Sequence, residues 1–276
     1  MNMAASGANN VTNSWTERRR QLEECASVEF LGYRVGSFTM DEAVAWVERA
    51  LRDPELHHIA VLNANKMWIA NRNPDLRGIL LRSELLIPEF AIVWGCKVMG
   101  TPLRGHIGGI MLLKALLPRL ELLGEPAYFL GAQESVLKRM VERLRLQFPA
   151  LSIAGTHSGY FEPSESKQVV DAINRSGAKI LFVAMGSPRQ ELWIEAQRGL
   201  LGVRVAMGVG GSFDVLAGIK KDAPPWVRHG GEWLYRLAQD PRALWKRYLK
   251  TNSWFVTQVL QEKLFPGKQS RRRETL

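Results

Sequence analysis

ILFVAMGSPRQELWIEAQ, residues 180–197, is the stretch that decides the fold. An unbroken apolar run leads through Gly186-Ser187-Pro188, and Gln190-Glu191 then opens a helical pattern, with the proline in a position suited to a first helical turn. The same alternation recurs along the chain. Short apolar strands bounded by Gly, Pro, Asn or charge are expected at 58–63, 85–88, 127–131, 151–154, 180–186 and 204–208, with a further one near 28–32. Helices are expected over 66–71, 90–99, 110–123, 135–148, 165–176 and 190–200, after a first helix opened by Thr39-Met40-Asp41-Glu42. Strands separated by helices of this length need right-handed crossovers, so the fold class is α/β: a mostly parallel, Rossmann-like sheet with helices on both faces. Such sheets bind ligands beyond the carboxyl ends of their strands. That rule directs attention to Asn63, Glu89, the Gly159-Tyr160 turn, residues 187–191 and residues 210–214.

Composition agrees with a globular enzyme: 276 residues, 46% hydrophobic and 23% charged. The two cysteines, Cys25 and Cys96, have neither metal-ligand spacing nor the density of a disulfide scaffold, which fits a reducing cytoplasm. Residues 1–14 lack the basic start and apolar run of a signal peptide, which argues against export, and residues 1–26 read as a flexible arm. The best candidate for a membrane span, 107–123, is interrupted by Lys114, Arg119 and Glu121.

The formal net charge of +10 suggests nucleic acid until its distribution is considered. From Ile219 to Leu276 there are thirteen Lys and Arg against five Asp and Glu, so the excess lies in the last fifth of the chain and not along the core. Four of the nine tryptophans, Trp226, Trp233, Trp245 and Trp254, fall there too, among Arg228, Arg236, Arg242, Lys246, Arg247 and Lys250. Residues 223–276 therefore read as a basic amphipathic helical appendage to a catalytic domain over 27–222, with Pro241 separating two helices, the second reaching about Phe265. Aromatic rings and cations together suit an anionic membrane surface, although the same pattern would serve a helix packed on the core with its basic face in water.

Two loops carry the candidate chemistry. Gly186-Ser187-Pro188-Arg189-Gln190-Glu191 would project polar side chains into the crevice; it would equally serve as a capped turn in which Glu191 complements the helix dipole. Gly208-Val209-Gly210-Gly211-Ser212-Phe213-Asp214 allows close backbone approach to a ligand. Phe213 breaks a dinucleotide fingerprint, and a P-loop ending is absent.

These two loops, with Gly159-Tyr160-Phe161 and Glu232-Trp233-Leu234-Tyr235-Arg236-Leu237, resemble the WecG/TagA/CpsF family of bacterial glycosyltransferases, and the resemblance runs from about Val28 to Tyr248. It implies inverting transfer of a sugar from a UDP-sugar to a polyprenyl-diphosphate-linked sugar at the cytoplasmic membrane face, in cell-surface polysaccharide assembly, with no metal and no cofactor required. It also implies that Tyr160 stacks on the uracil and Asp214 accepts its N–H. Asn63 and Gln190 would surround the donor sugar, and Arg236 would reach the diphosphate. Arg242 and Arg247 flank Ala243, where another family arginine falls, and are further substrate-binding candidates.

Departures from the pattern cluster around one crevice. Glu89-Phe90 replaces the usual Asp-Gly, so Glu89 is the expected catalytic base, its carboxylate moved by one methylene. Val61 stands where the family has Thr, His106 where it has Arg, and Met111 where it has Asp; His106 is retained as a substrate-binding candidate, able to donate to a sugar or phosphate oxygen, or else as a structural histidine. These changes fit an altered donor, glucose in place of an N-acetylmannosamine-type sugar; a catalytically silent UDP-binding homologue is the alternative, and a nucleic-acid-binding protein the remote one. The oligomeric state, a homo-oligomer included, is left open by the sequence.

Overall fold

A computed structural model of the chain describes residues 26–222, 224, 227 and 232–266, apart from the side chains of residues 232–234, 236, 243 and 244. A two-stranded antiparallel hairpin comes first: β1 (Ser27–Phe30) and β2 (Tyr33–Gly36). Leu31 and Gly32 form its turn, both at positive φ, 49° and 78°. A two-residue hairpin turn needs that backbone. Because leucine is not a turn residue, the sequence signalled β1 and concealed its return strand.

Six strands form the main sheet: β3 (His57–Leu62), β4 (Leu85–Pro88), β5 (Ala127–Gly131), β6 (Ile153–His157), β7 (Ile180–Ala184) and β8 (Val205–Gly208). All neighbours are parallel, in the order β4-β3-β8-β7-β5-β6. Every residue of β3, β4, β5, β7 and β8 is buried, as unbroken apolar runs require. The edge strand β6 is only half-buried and lies further along the chain than its most apolar residues, at 151–154, suggested. The other edge strand, β4, stays buried because the β1–β2 hairpin packs against it.

One face is covered by α1 (Met40–Ala50), α5 (Gly109–Leu123), α6 (Glu134–Gln147) and the short α9 (Ser212–Leu216), packed around Trp46, Phe129, Phe182 and Phe213. A capping box opens α1: Glu42 N donates to Thr39 Oγ1 at 3.3 Å and Thr39 N to Glu42 Oε2 at 2.9 Å. The apolar stretch over 107–123 is α5, and its leucines at 112, 113, 116, 117 and 120 are core. Among the described residues no helix is long and apolar enough to cross a membrane.

The other face carries α2 (Ala64–Ala70), α3 (Pro74–Arg82), α4 (Phe90–Val98), α7 (Ser166–Arg175) and α8 (Arg189–Gln197). Helix α3 was not anticipated from the sequence, though its signals are present: Asn73 Oδ1 caps Leu76 N at 2.9 Å, and Pro74 occupies the first turn. Pro188 stands one residue before α8 instead of inside its first turn, and the Ser187–Pro188 peptide is cis.

In the tail, α10 (Glu232–Gln239) and α11 (Pro241–Leu264) meet at Pro241, as its break in the helical pattern suggests. Helix α11 docks on the α/β core. Phe255, 2% exposed, sits between Phe30 and Trp94 at ring distances of 6.0 and 6.4 Å, and Val259 is buried beside them. Residues 1–25 and 267–276, with most of 223–231, lie outside the described residues, and with them all but the last residue of the expected flexible arm. Phe255→Ala should lower stability by about 3–5 kcal/mol, because it opens a cavity that both rings line. Urea unfolding measures this; a loss below about 1 kcal/mol would mean that α11 is not held by this contact.

Candidate active site

The carboxyl ends of β3, β4, β7 and β8 surround a cleft of about 560 Å³, and α11 forms its far wall. Asn63 ends β3 and Glu89 ends β4. Asn63 caps α2 by accepting from Lys66 N at 2.8 Å through Oδ1, and its Nδ2 donates to Glu89 Oε2 at 3.0 Å. Glu89 N in turn donates to Leu62 O at 3.0 Å, which fixes the start of α4 against β3. The carboxylate is thus held on one oxygen. Its other oxygen has no hydrogen-bond partner among the described residues and belongs to a side chain that lines the cleft.

Beneath these residues lies a buried polar cluster. Lys66 Nζ approaches Glu191 Oε1 to 2.6 Å, with side-chain exposures of 5% and 0%. Glu191 also accepts from Ser187 Oγ at 2.7 Å and from Gln190 Nε2 at 2.7 Å, and Gln190 Oε1 accepts from Gly210 N at 3.1 Å. Burial by itself opposes ionisation of Glu191. The Lys66 ammonium and the donated hydrogen bonds outweigh it and hold the carboxyl below its ordinary value. The absence of a side chain at Gly208 lets the Gln190 amide sit against the end of β8, since a Cβ there would lie 2.5 Å from Gln190 Nε2 and displace it.

The opposite wall is apolar: Val61, Phe90, Trp94 and Ile110 from the core, with Tyr248, Phe255 and Val256 from α11. Helix α11 adds Arg247, Thr251 and Asn252, and the Arg247 guanidinium lies 5.2 Å from the centroid of the Tyr248 ring. Asn63, Glu89, Gln190 and Arg247 are therefore brought together. His106 sits behind the wall, its ring edge-on to Phe90 at 5.9 Å.

Tyr160 and Asp214 stand outside this cleft, along the same edge of the sheet. Gly159 N donates to Ala132 O at 3.0 Å, so the turn leaving β6 is pinned to the end of β5; a Cβ on Gly159 would meet Gly131 Cα at 2.9 Å. Tyr160, 70% exposed, presents its ring there. Asp214 lies in the first turn of α9, with Oδ2 3.1 Å from Lys220 Nζ. Arg242 is exposed and does not line the cleft, and the Arg236 side chain lies outside the described residues. Lys66, Tyr248, Thr251 and Asn252 were not singled out from the sequence. Lys66 reads there as an ordinary solvated lysine, and only tertiary packing buries it.

No group of three His, Cys, Asp or Glu side chains among the described residues is placed to hold a metal ion. Cys96, also buried, has its thiol pushed up to about 12 by burial, so it is not a nucleophile at neutral pH.

The buried ionisable groups bear on stability in two ways. Lys66→Met should cost about 3–5 kcal/mol by leaving Glu191 buried and unpaired, and Lys66→Met/Glu191→Leu should recover most of the loss. Equal losses in thermal or urea unfolding would show that Glu191 does not need the ammonium. On β3, burial pushes the His58 imidazole from 6.5 down to about 4, and neither ring nitrogen has a hydrogen-bond partner among the described residues. Below pH 6.5 the unfolded chain takes up this proton and the folded protein does not, so acidification towards pH 4 destabilises the fold. The slope is about 1.4 kcal/mol per pH unit for this one group. Over pH 6 to 5, His58→Phe should flatten the profile of unfolding free energy against pH; an unchanged slope would contradict a neutral buried His58.

Comparison with known proteins identifies the family. Residues 28–269 match the glycosyl transferase WecG/TagA/CpsF family. Among its relatives is the N-acetylglucosaminyldiphosphoundecaprenol N-acetyl-beta-D-mannosaminyltransferase of Bacillus spizizenii, 36% identical over 205 residues that make up 74% of this chain and 78% of the relative. A carboxylate poised in a cleft at the carboxyl edge of a parallel sheet, within a match that spans most of the chain, places the protein in the WecG/TagA/CpsF family of glycosyltransferases.

Proposed function

We propose that the protein transfers a sugar from a UDP-sugar to a polyprenyl-diphosphate-linked sugar, with inversion at the anomeric carbon and Glu89 as general base. The observation that carries this reading is the Asn63–Glu89 hydrogen bond, which aims a carboxylate into the cleft with one oxygen unengaged. That oxygen takes the proton of an acceptor hydroxyl as the hydroxyl oxygen bonds to the anomeric carbon. The bond from that carbon to the UDP phosphate oxygen breaks on the opposite side, and UDP leaves with the electron pair. Glu89 then returns its proton to solvent.

The donor lies along the strand ends, from Tyr160 and Asp214 at the uracil to Asn63 and Gln190 at the sugar. Tyr160 offers an open aromatic face, and the second N–H of each amide remains for sugar hydroxyls. Arg247 faces the cleft from α11 and, with Arg236, supplies positive charge for the departing diphosphate, where each such donor is worth about 10²–10³ in rate. The donor sugar is an N-acetylmannosamine-type sugar or glucose, chosen by the subsite that Val61, Phe90 and Ile110 line. His106, edge-on to Phe90, acts through that ring's orientation.

A polyprenyl-linked acceptor would be met at a membrane surface, and on this reading the protein works at its cytoplasmic face. Helix α11 exposes Trp245, Leu249 and Leu264, with exposed Phe265 just beyond it, and carries Arg242, Lys246 and Lys250. Each cation near anionic lipid contributes about 1 kcal/mol.

With a short-chain polyprenyl-diphosphate sugar as acceptor, the wild type should release UDP from one of a panel of UDP-sugars, and Glu89→Gln should lower kcat by about 10²–10⁴ with UDP affinity retained. Calorimetry and a UDP-release assay read the two quantities. UDP binding by the wild type without transfer from any donor would identify a silent homologue, and full activity in Glu89→Gln would remove Glu89 as the base.

A further inference from the structure

A buried ion pair under an active-site cleft has two readings: a contribution to stability, or a device that holds functional groups in place. Stability alone explains it poorly, since two desolvated charges seldom outperform apolar side chains of the same volume. Its connections favour the second reading.

Lys66 is tied to the site at both ends. Its backbone N–H donates to Asn63 Oδ1 at 2.8 Å, which turns Asn63 Nδ2 towards Glu89, while its ammonium, 2.6 Å from Glu191, is drawn beneath the loop after β7. Glu191 collects three donors, from Lys66, Ser187 and Gln190. With its nitrogen on Glu191, Gln190 must turn its oxygen the other way, where it accepts from Gly210 N at 3.1 Å. The segments that follow three strands are thereby joined: the one after β3 through buried Lys66 at the start of α2, the one after β7 through half-buried Ser187 and buried Gln190 at the start of α8, and the one after β8 through the Gly210 backbone.

We propose that Lys66 and Glu191 are positioning residues for the transfer reaction, their ion pair fixing the Gln190 amide and the Gly210 backbone relative to the Asn63–Glu89 pair. The proposal rests on the reading of Glu89 as base. The pair touches no reacting atom; it sets the distance between the loop that presents the carboxylate and the two loops that face it across the cleft. Because Tyr160 and Asp214 lie outside the network, nucleotide binding does not depend on it. The pair's effect is therefore on turnover.

Lys66→Met/Glu191→Leu in the full chain removes both charges without stranding either. Gly208→Ala leaves both charges in place and displaces the Gln190 amide, whose nitrogen lies 2.5 Å from the new Cβ. Thermal melts establish that both variants are folded; kcat, the donor KM and calorimetric UDP affinity are then compared with the wild type. A misplacement of about 1 Å costs on the order of 10²-fold in rate, so kcat should fall by about that factor in both. UDP affinity should stay within about threefold, the pattern of an interaction that matters only in the transition state. Folded variants with kcat unchanged would overturn the proposal, as would a loss of UDP affinity equal to the loss in kcat. No transfer by the wild type would sink the glycosyl-transfer reading as well, whereas equal transfer by wild type and variants sinks this inference alone.

Discussion

The hydrogen bond from the Asn63 amide to the Glu89 carboxylate is the constraint on which the site depends. It joins two residues 26 apart in sequence, each the first residue beyond a strand, and it exists because β3 and β4 pair in parallel with Leu62 opposite Pro88. A slip of the pairing by one residue would turn one of the two side chains to the other face of the sheet. The sheet therefore does more than bury apolar surface: its register decides which polar groups meet.

The same argument extends across the crevice. Parallel strands deliver all their carboxyl ends to one edge, so a ligand laid along that edge meets a new loop at each strand. Here the edge divides into a part holding Asn63 and Glu89, after β3 and β4, and a part with Gln190, Asp214 and Tyr160 after β7, β8 and β6. The polar cluster around Glu191 lies between them. Charge is buried there at a cost that the Lys66 pair and two neutral donors offset, which ties fold stability and site geometry to the same few atoms.

Most of the sheet was legible in the sequence because fully buried parallel strands leave an unmistakable mark, an apolar run ended by Gly, Pro, Asn or charge. What escaped did so for local reasons. The β1–β2 turn uses a leucine at positive φ, the edge strand β6 is built from Gly155, Thr156 and His157 as much as from apolar residues, and only three residues separate α3 from the end of α2. Asn63, Glu89 and Gln190 were found because strand ends are where to look, and Arg247 because of its place in the basic tail. Lys66 was not, since nothing in a lysine two residues into a helix shows that its ammonium is buried against a residue 125 positions away. In the tail, Phe255 and Val259 share a core with the hairpin and α4, and the preceding turns of α11 complete the cleft wall, neither of which the basic, aromatic pattern reveals.

The account stands or falls on a single displacement assisted by Glu89, and the stereochemistry of the product reports on that directly. Proton NMR of the disaccharide released from a polyprenyl-diphosphate acceptor, made with an α-linked UDP-sugar, should show a β linkage. An α linkage would require two displacements or front-side attack, and would contradict the role given to Glu89.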